Sequence, residues 1–162
     1  MPVYATPEEA ELAFYEAFET ADLTEMGRVW ANSDDITCIH PMGNCLRGRE
    51  EVMSGWREVF SGGTRLAFEL TQVQQNINHN IAIHILYENI SLIGSNRPAT
   101  SMIATNIYQL INGSWQIILH HSSLMPDENS LDFEDPFEDD DEDDGDFVED
   151  AGLPAAPKRI VH

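Results

Sequence analysis

Met102-Ile103-Ala104-Thr105-Asn106-Ile107-Tyr108-Gln109-Leu110-Ile111-Asn112-Gly113-Ser114-Trp115-Gln116-Ile117-Ile118-Leu119 is two β-rich runs around an Asn-Gly pair. Asn-Gly suits the left-handed positions of a tight hairpin turn, so the runs predict two paired antiparallel strands. Along the first run Ile103, Ile107 and Ile111 share one face, and Met102, Ala104, Tyr108 and Leu110 share the other. Neither face is clearly built for water. Helices can cover one of them. The simplest cover for the other is a second copy of the chain, which predicts a homodimer through the outer sheet face.

Upstream, Leu66, Phe68 and Leu70 alternate with smaller or polar residues, and Ile81–Leu86 forms a further apolar run. Asn76-Ile77-Asn78 and Gly94-Ser95-Asn96 separate these predicted strands. Before Leu66 the period is helical. Thr6-Pro7-Glu8-Glu9 combines an N-cap hydroxyl, a proline at the first helical position and a glutamate placed for a capping box. Ala10, Phe14, Ala17, Phe18 and Ala21 then form one apolar stripe. Asp22 caps a second helix, in which Leu23, Met26 and Trp30 share a face. After Asn32-Ser33-Asp34, Ile36–Ile39 reads as a short strand and Pro41, Gly43 and Asn44 as a turn. Val52, Met53, Trp56, Val59 and Phe60 form the buried face of a third helix, which Gly62-Gly63 closes. The order predicts an α+β domain with helices on one face of a mostly antiparallel sheet.

The chain has 162 residues and a formal charge of −21. Residues 1–125 hold 14 acids and 6 arginines, whereas 126–150 hold 15 acids and no base. That division predicts a folded domain over 1–125 and a disordered acidic tail over 126–162. The charge argues against a grip on nucleic acid or an anionic membrane. No apolar run reaches the ~18 to 20 residues that a membrane span needs, and the first residues lack the blocks of a secretory signal. With only Cys38 and Cys45, the expected location is the cytoplasm.

The motifs Ala21-Asp22-Leu23, Ile36-Thr37-Cys38-Ile39-His40-Pro41-Met42-Gly43, Arg47-Gly48-Arg49-Glu50 with Trp56, and Trp115 to Ser123 through His120-His121 resemble the SnoaL-like branch of the nuclear-transport-factor-2-like superfamily. Its group related to the association domain of calcium/calmodulin-dependent kinase II is the most similar. The resemblance covers roughly residues 6 to 125. It implies a cone, a curved antiparallel sheet wrapped around the N-terminal helices in a cystatin-like α+β roll. An apolar pocket at the open end and a homodimer are also implied.

His40 leads the candidate catalytic residues. In the ketosteroid isomerases that the chain resembles more distantly, the matching stretch carries a carboxylate base, and an imidazole with a pKa near ~6.5 can take a proton at neutral pH. The alternative is a hydrogen-bonded residue serving the turn. The mechanism also needs an oxyanion donor. By register the helical tyrosine of that family falls on Phe14, with Tyr15 one step round the helix, so Tyr15 and Tyr108 are the candidate donors. His120 and His121 are adjacent on a strand and face opposite ways. His121 shares parity with Trp115, Ile117 and Leu119 and is the one expected to line the pocket, the alternative being a histidine held at the dimer face or by a backbone carbonyl, while His84 either reaches the same cavity or faces a partner.

Phe14, Phe18, Trp30, Trp56 and Phe60 are candidate pocket walls, or simply core. Arg47 can fork a ligand carboxylate or pair with Glu50 or Glu51. Cys38, His40 and Cys45 match no strong zinc spacing, so neither a metal nor a cofactor is expected. The separation of Cys38 and Cys45 permits a disulfide across the turn, given favourable strand pairing. In the tail, Leu131 to Glu138 alternates acids with apolar anchors, suiting a basic protein partner or solvation alone.

Three roles follow as expectations. The first is a dimer binding a small apolar or carbonyl-containing ligand. The second is an isomerase or dehydratase using His40 as base, and the third is an assembly module acting through its acidic tail.

Overall fold

A computed structural model describes residues 3–126. The expected acidic tail, 126–162, lies outside the described residues apart from Pro126. The described elements are α1 (Pro7–Thr20), α2 (Leu23–Val29), β1 (Thr37–Ile39), β2 (Cys45–Arg47), α3 (Gly48–Ser61), β3 (Leu66–Asn78), β4 (Ile81–Leu92), β5 (Thr100–Ile111) and β6 (Ser114–Leu124). No helix among them is long and apolar enough to cross a membrane.

The helix starts follow from local chemistry. The Thr6 hydroxyl accepts the Glu9 N–H at 3.2 Å, and the Glu9 carboxylate reaches back to the Ala5 N–H at 2.7 Å. The first bond satisfies a donor that the first turn leaves orphaned, and the second ties down the residue preceding the N-cap. Asp22 repeats the device for α2, accepting the Glu25 N–H at 3.0 Å.

Six strands form one curved sheet in the order β2-β1-β6-β5-β4-β3. Every pairing is antiparallel except β1 with β6. The β5–β6 turn has positive φ at both Asn112 and Gly113, as a type I′ hairpin requires. This is the α+β domain that the residues predict and the curved roll that the resemblance implies, with three differences from the predicted elements. Cys45–Arg47 is a strand, which the turn residues before it hid. Asn76-Ile77-Asn78 is not a turn, because β3 runs through it to reverse at His79, where φ is +43°. Ile81–Leu86 is only the first half of a strand that continues to Leu92.

The inner sheet face carries Ala82, His84, Leu86 and Glu88 of β4, Ala104, Asn106 and Tyr108 of β5, and Trp115, Ile117, His120 and Ser122 of β6, all buried. Against it pack Phe14, Tyr15, Trp30 and Trp56, also buried. The ring centroid of Trp56 lies 5.6 Å from that of Phe14 and 4.7 Å from that of Phe18. Edge contacts of this kind add to what burial of the rings already contributes. The outer face keeps Ile81, Ile85, Tyr87, Ile103, Ile107 and Leu119 only partly covered and Ile83 exposed.

Candidate functional site

The first strand ends in a turn that aims His40. The His40 carbonyl accepts the Gly43 N–H at 2.9 Å, with Pro41 second in the turn and Met42 at a left-handed φ of +58°. A methionine in that region is strained, since its Cβ crowds the following carbonyl. Beyond the turn β2 leads directly into α3, and between them lies an open groove of about 600 Å³. His40, Leu46, Ser54 and three carboxylates, Glu50, Glu51 and Glu58, line it. The His40 ring stands edge-on to Trp56 with centroids 4.7 Å apart, and its Nε2 lies 3.6 Å from the Cys38 sulfur. Burial lowers the His40 pKa from its usual 6.5, so the ring is neutral at physiological pH. Burial pushes the Cys38 thiol up to about 12, so that neighbour is a thiol rather than a thiolate.

Deeper in, the inner face is polar, and two hydrogen-bonded clusters cross it. In one, the buried Glu11 carboxylate accepts from Tyr108 at 2.9 Å, meets His84 Nδ1 at 2.6 Å and also accepts from Gln72. In the other, His120 Nδ1 meets Asn106 Oδ1 at 2.6 Å, and Asn106 Nδ2 donates to the Tyr15 hydroxyl at 3.0 Å. With Asn106 oriented by that second bond, the first fixes the His120 tautomer with its proton on Nδ1. Near Tyr15, the Ser122 hydroxyl donates to Glu88 Oε1 at 2.5 Å. Glu88 Oε2 has no partner among the described residues; the Tyr15 hydroxyl stands close but outside hydrogen-bond geometry.

These groups titrate as burial dictates. Desolvation raises the Glu88 pKa, aided by the charge of Glu11 and opposed by the Ser122 bond. It drives His120 down to about 3, with lesser contributions from the neighbouring His40 and His121. Tyr15 and Tyr108 rise well above 10, mainly through burial, and stay protonated.

The expected site residues therefore divide. His40 borders the groove. Tyr15 and Tyr108 do not, since both hydroxyls are engaged in the buried clusters. His121 is exposed on the outer side, and it is His120 that faces inward. The reason is a bulge: Ile107 pairs with Leu119 while Tyr108 pairs with Ile117, so Ile118 is an extra residue and every side chain after it changes face. Phe14, Trp30 and Trp56 are fully buried core, with Phe18 and Phe60 half-buried beside them. The walls expected of a hollow apolar pocket thus pack largely on one another.

Arg47 is exposed and borders a separate cleft with Asp34 and Cys45. Two residues on, Arg49 is the structural arginine: its guanidinium donates to the carbonyls of Trp30 at 3.0 Å, Ala31 at 3.1 Å and Gly27 at 2.5 Å. A cation there also complements the C-terminal end of α2. The cysteines do not pair. Cys38 sits opposite Leu46 and Cys45 opposite Ile39, so they point to opposite faces, one buried and one exposed, and both are free.

Glu11, Glu88, Asn106 and Ser122 escaped the sequence reading. In β4 the isoleucines 81, 83 and 85 look like the core face, but the alternate set containing His84 and Glu88 is the buried one.

A curved mixed sheet whose polar inner face is closed by three helices defines the α+β roll of the nuclear-transport-factor-2-like proteins. The chain belongs to the SnoaL-like domain family, matching it over residues 8–128. Among solved structures it is similar to a candidate calcium/calmodulin-dependent protein kinase type II association domain from Thiobacillus denitrificans. That match has 37% identity and a TM-score of 0.73 over 78% of this chain and all of the other. A candidate dehydratase of the NTF2-like family from Streptomyces avermitilis matches at 27% identity with a TM-score of 0.67, covering 73% of this chain and 92% of the other. The F-box protein SKIP8 of Arabidopsis thaliana is 29% identical over 69% of this chain and 46% of its own length, so the chain spans about half of that curated relative.

Proposed function

We propose that this domain binds a small molecule in the groove between the β1–β2 turn and α3, and that it does so as a homodimer joined through the outer sheet face. One observation carries the reading: a neutral imidazole, His40, borders an open recess of about 600 Å³. That volume falls within the ~300 to 1,000 Å³ typical of small-molecule sites. Glu50, Glu51 and Glu58 in the lining disfavour an anionic ligand and suit a neutral one, including a carbonyl compound, or a cation. The partly covered isoleucines of the outer face support the dimer.

Native mass spectrometry of the freshly purified full chain tests this by reporting subunit count and retained ligand together. His40→Ala and the groove-filling Ser54→Trp should each release the ligand. Retention by both variants with unchanged affinity refutes the site.

The neutral His40 also favours a second reading, a proton-transferring isomerase or dehydratase, and the likeness to a candidate dehydratase supports it. With Tyr15 and Tyr108 engaged elsewhere, Ser54 is the hydroxyl donor that the groove offers. A general base typically contributes ~10² to 10⁴ in rate. Turnover of an identified substrate that His40→Ala leaves intact rejects this reading.

A further inference from the structure

β3 is the end strand of the sheet, and its free edge is treated differently along its length. Near its start the edge is guarded: the Phe68 N–H donates to the Glu19 carboxylate of α1 at 2.7 Å. Past the irregularity at Val73, nothing among the described residues bonds the outer edge, and Thr71 through Asn80 are all exposed. Proteins usually blunt such an edge with charge, proline or a covering element. Here those devices are missing. From Thr71 to Tyr87 there is no Asp, Glu, Lys, Arg or Pro, in a chain 23% charged. The other sheet edge, β2, is only three residues long and ends in Arg47.

We infer that the segment Val73–Ile77 of β3 pairs antiparallel with the same segment of a second copy of this chain, joining two sheets edge to edge across a two-fold axis. Charge selects this occupant. Two copies carrying −21 each repel wherever acids meet, and the uncharged hairpin is where they can approach without that cost. Symmetry supplies the register. An antiparallel pairing centred on Gln75 sets Val73 against Ile77 of the second copy, and the reverse. Those two side chains are 49% and 66% exposed in the single chain, and the pairing covers both twice over. Cross-strand apolar pairs of this kind are the unit that stabilises a sheet. A foreign peptide would meet the same backbone groups without the two-fold symmetry that fixes this register.

The test uses the full chain in a Cys45→Ser background, with single cysteines introduced at Gln74, Gln75 and Asn76 and a short bis-maleimide cross-linker. At least one of the three should give covalent dimer in high yield. Asn76→Lys, which brings like charges together across the axis, should weaken self-association at least tenfold by sedimentation equilibrium, with the circular dichroism spectrum unchanged. No cross-link at any of the three positions overturns the inference. So does a mass that Asn76→Lys leaves unchanged. Ile107→Lys on the outer face addresses the other interface separately, so the failure of one does not masquerade as failure of the other.

Discussion

His120 makes the stability of this domain sensitive to acid. The ring is fully buried, with its Nδ1 on Asn106, and its pKa is about 3 in place of the usual 6.5. Below pH 6.5 the unfolded chain takes up a proton that the folded chain refuses until about pH 3. The unfolded state then binds more protons, so stability falls as pH drops through that window. Each pH unit there costs about 1.4 kcal/mol, and the loss accumulated at pH 5 relative to pH 8 is about 2 kcal/mol. His120→Asn removes the titration while keeping an amide N–H where Nδ1 stood, so the bond to Asn106 can persist. The variant should be less stable at pH 8, because the ring also packs on Phe14 with centroids 4.9 Å apart. Its stability should nevertheless fall about 2 kcal/mol less than the parent's between pH 8 and pH 5. Urea denaturation followed by tryptophan fluorescence at intervals across that range measures the difference. Identical pH slopes for parent and variant would refute the assignment of His120 as a buried neutral base.

Glu88 has the opposite sign. Its folded pKa lies above the unfolded value, so its contribution is lost as pH rises through the folded pKa. Glu88→Gln, which keeps an oxygen for Ser122, should therefore gain stability relative to the parent at pH 8 and show no gain at pH 4; thermal melts at the two pH values check this. Arg49→Ala strands three carbonyls and should cost about 2 to 3 kcal/mol in urea unfolding. Arg49→Lys should recover less than half of that, because one ammonium cannot reproduce the guanidinium fork. A thiol reagent should label one cysteine in the native protein, Cys45, and a second only after unfolding, since Cys38 is buried with its pKa near 12; mass spectrometry of the adduct counts them.

The local devices were legible because each is written in a few adjacent residues. Thr6-Pro7-Glu8-Glu9 carries its own capping geometry, and Asn112-Gly113 carries its own turn. The site was less legible. His40 could be placed beside a recess, since the turn that aims it is local. Choosing His120 over His121 depended on a single extra residue at Ile118, and a bulge leaves no mark in an apolar run. Arg47 and Arg49 flank Gly48 almost symmetrically in sequence. Only the packing of α3 against the end of α2 makes one of them structural and leaves the other in solvent.

The sequence by itself determined the three helices and their caps, the final hairpin and the α+β class, though not the short strand Cys45–Arg47, because periodicity and turn chemistry act over distances of a few residues. Which face of the sheet would be buried was decided by tertiary structure alone. With isoleucines on one side of β4 and His84 and Glu88 on the other, the alternation records two faces without saying which one the helices choose. Burial is settled by partners far along the chain: Glu11 and Tyr15 of α1 supply the hydrogen bonds that let the polar face go inside.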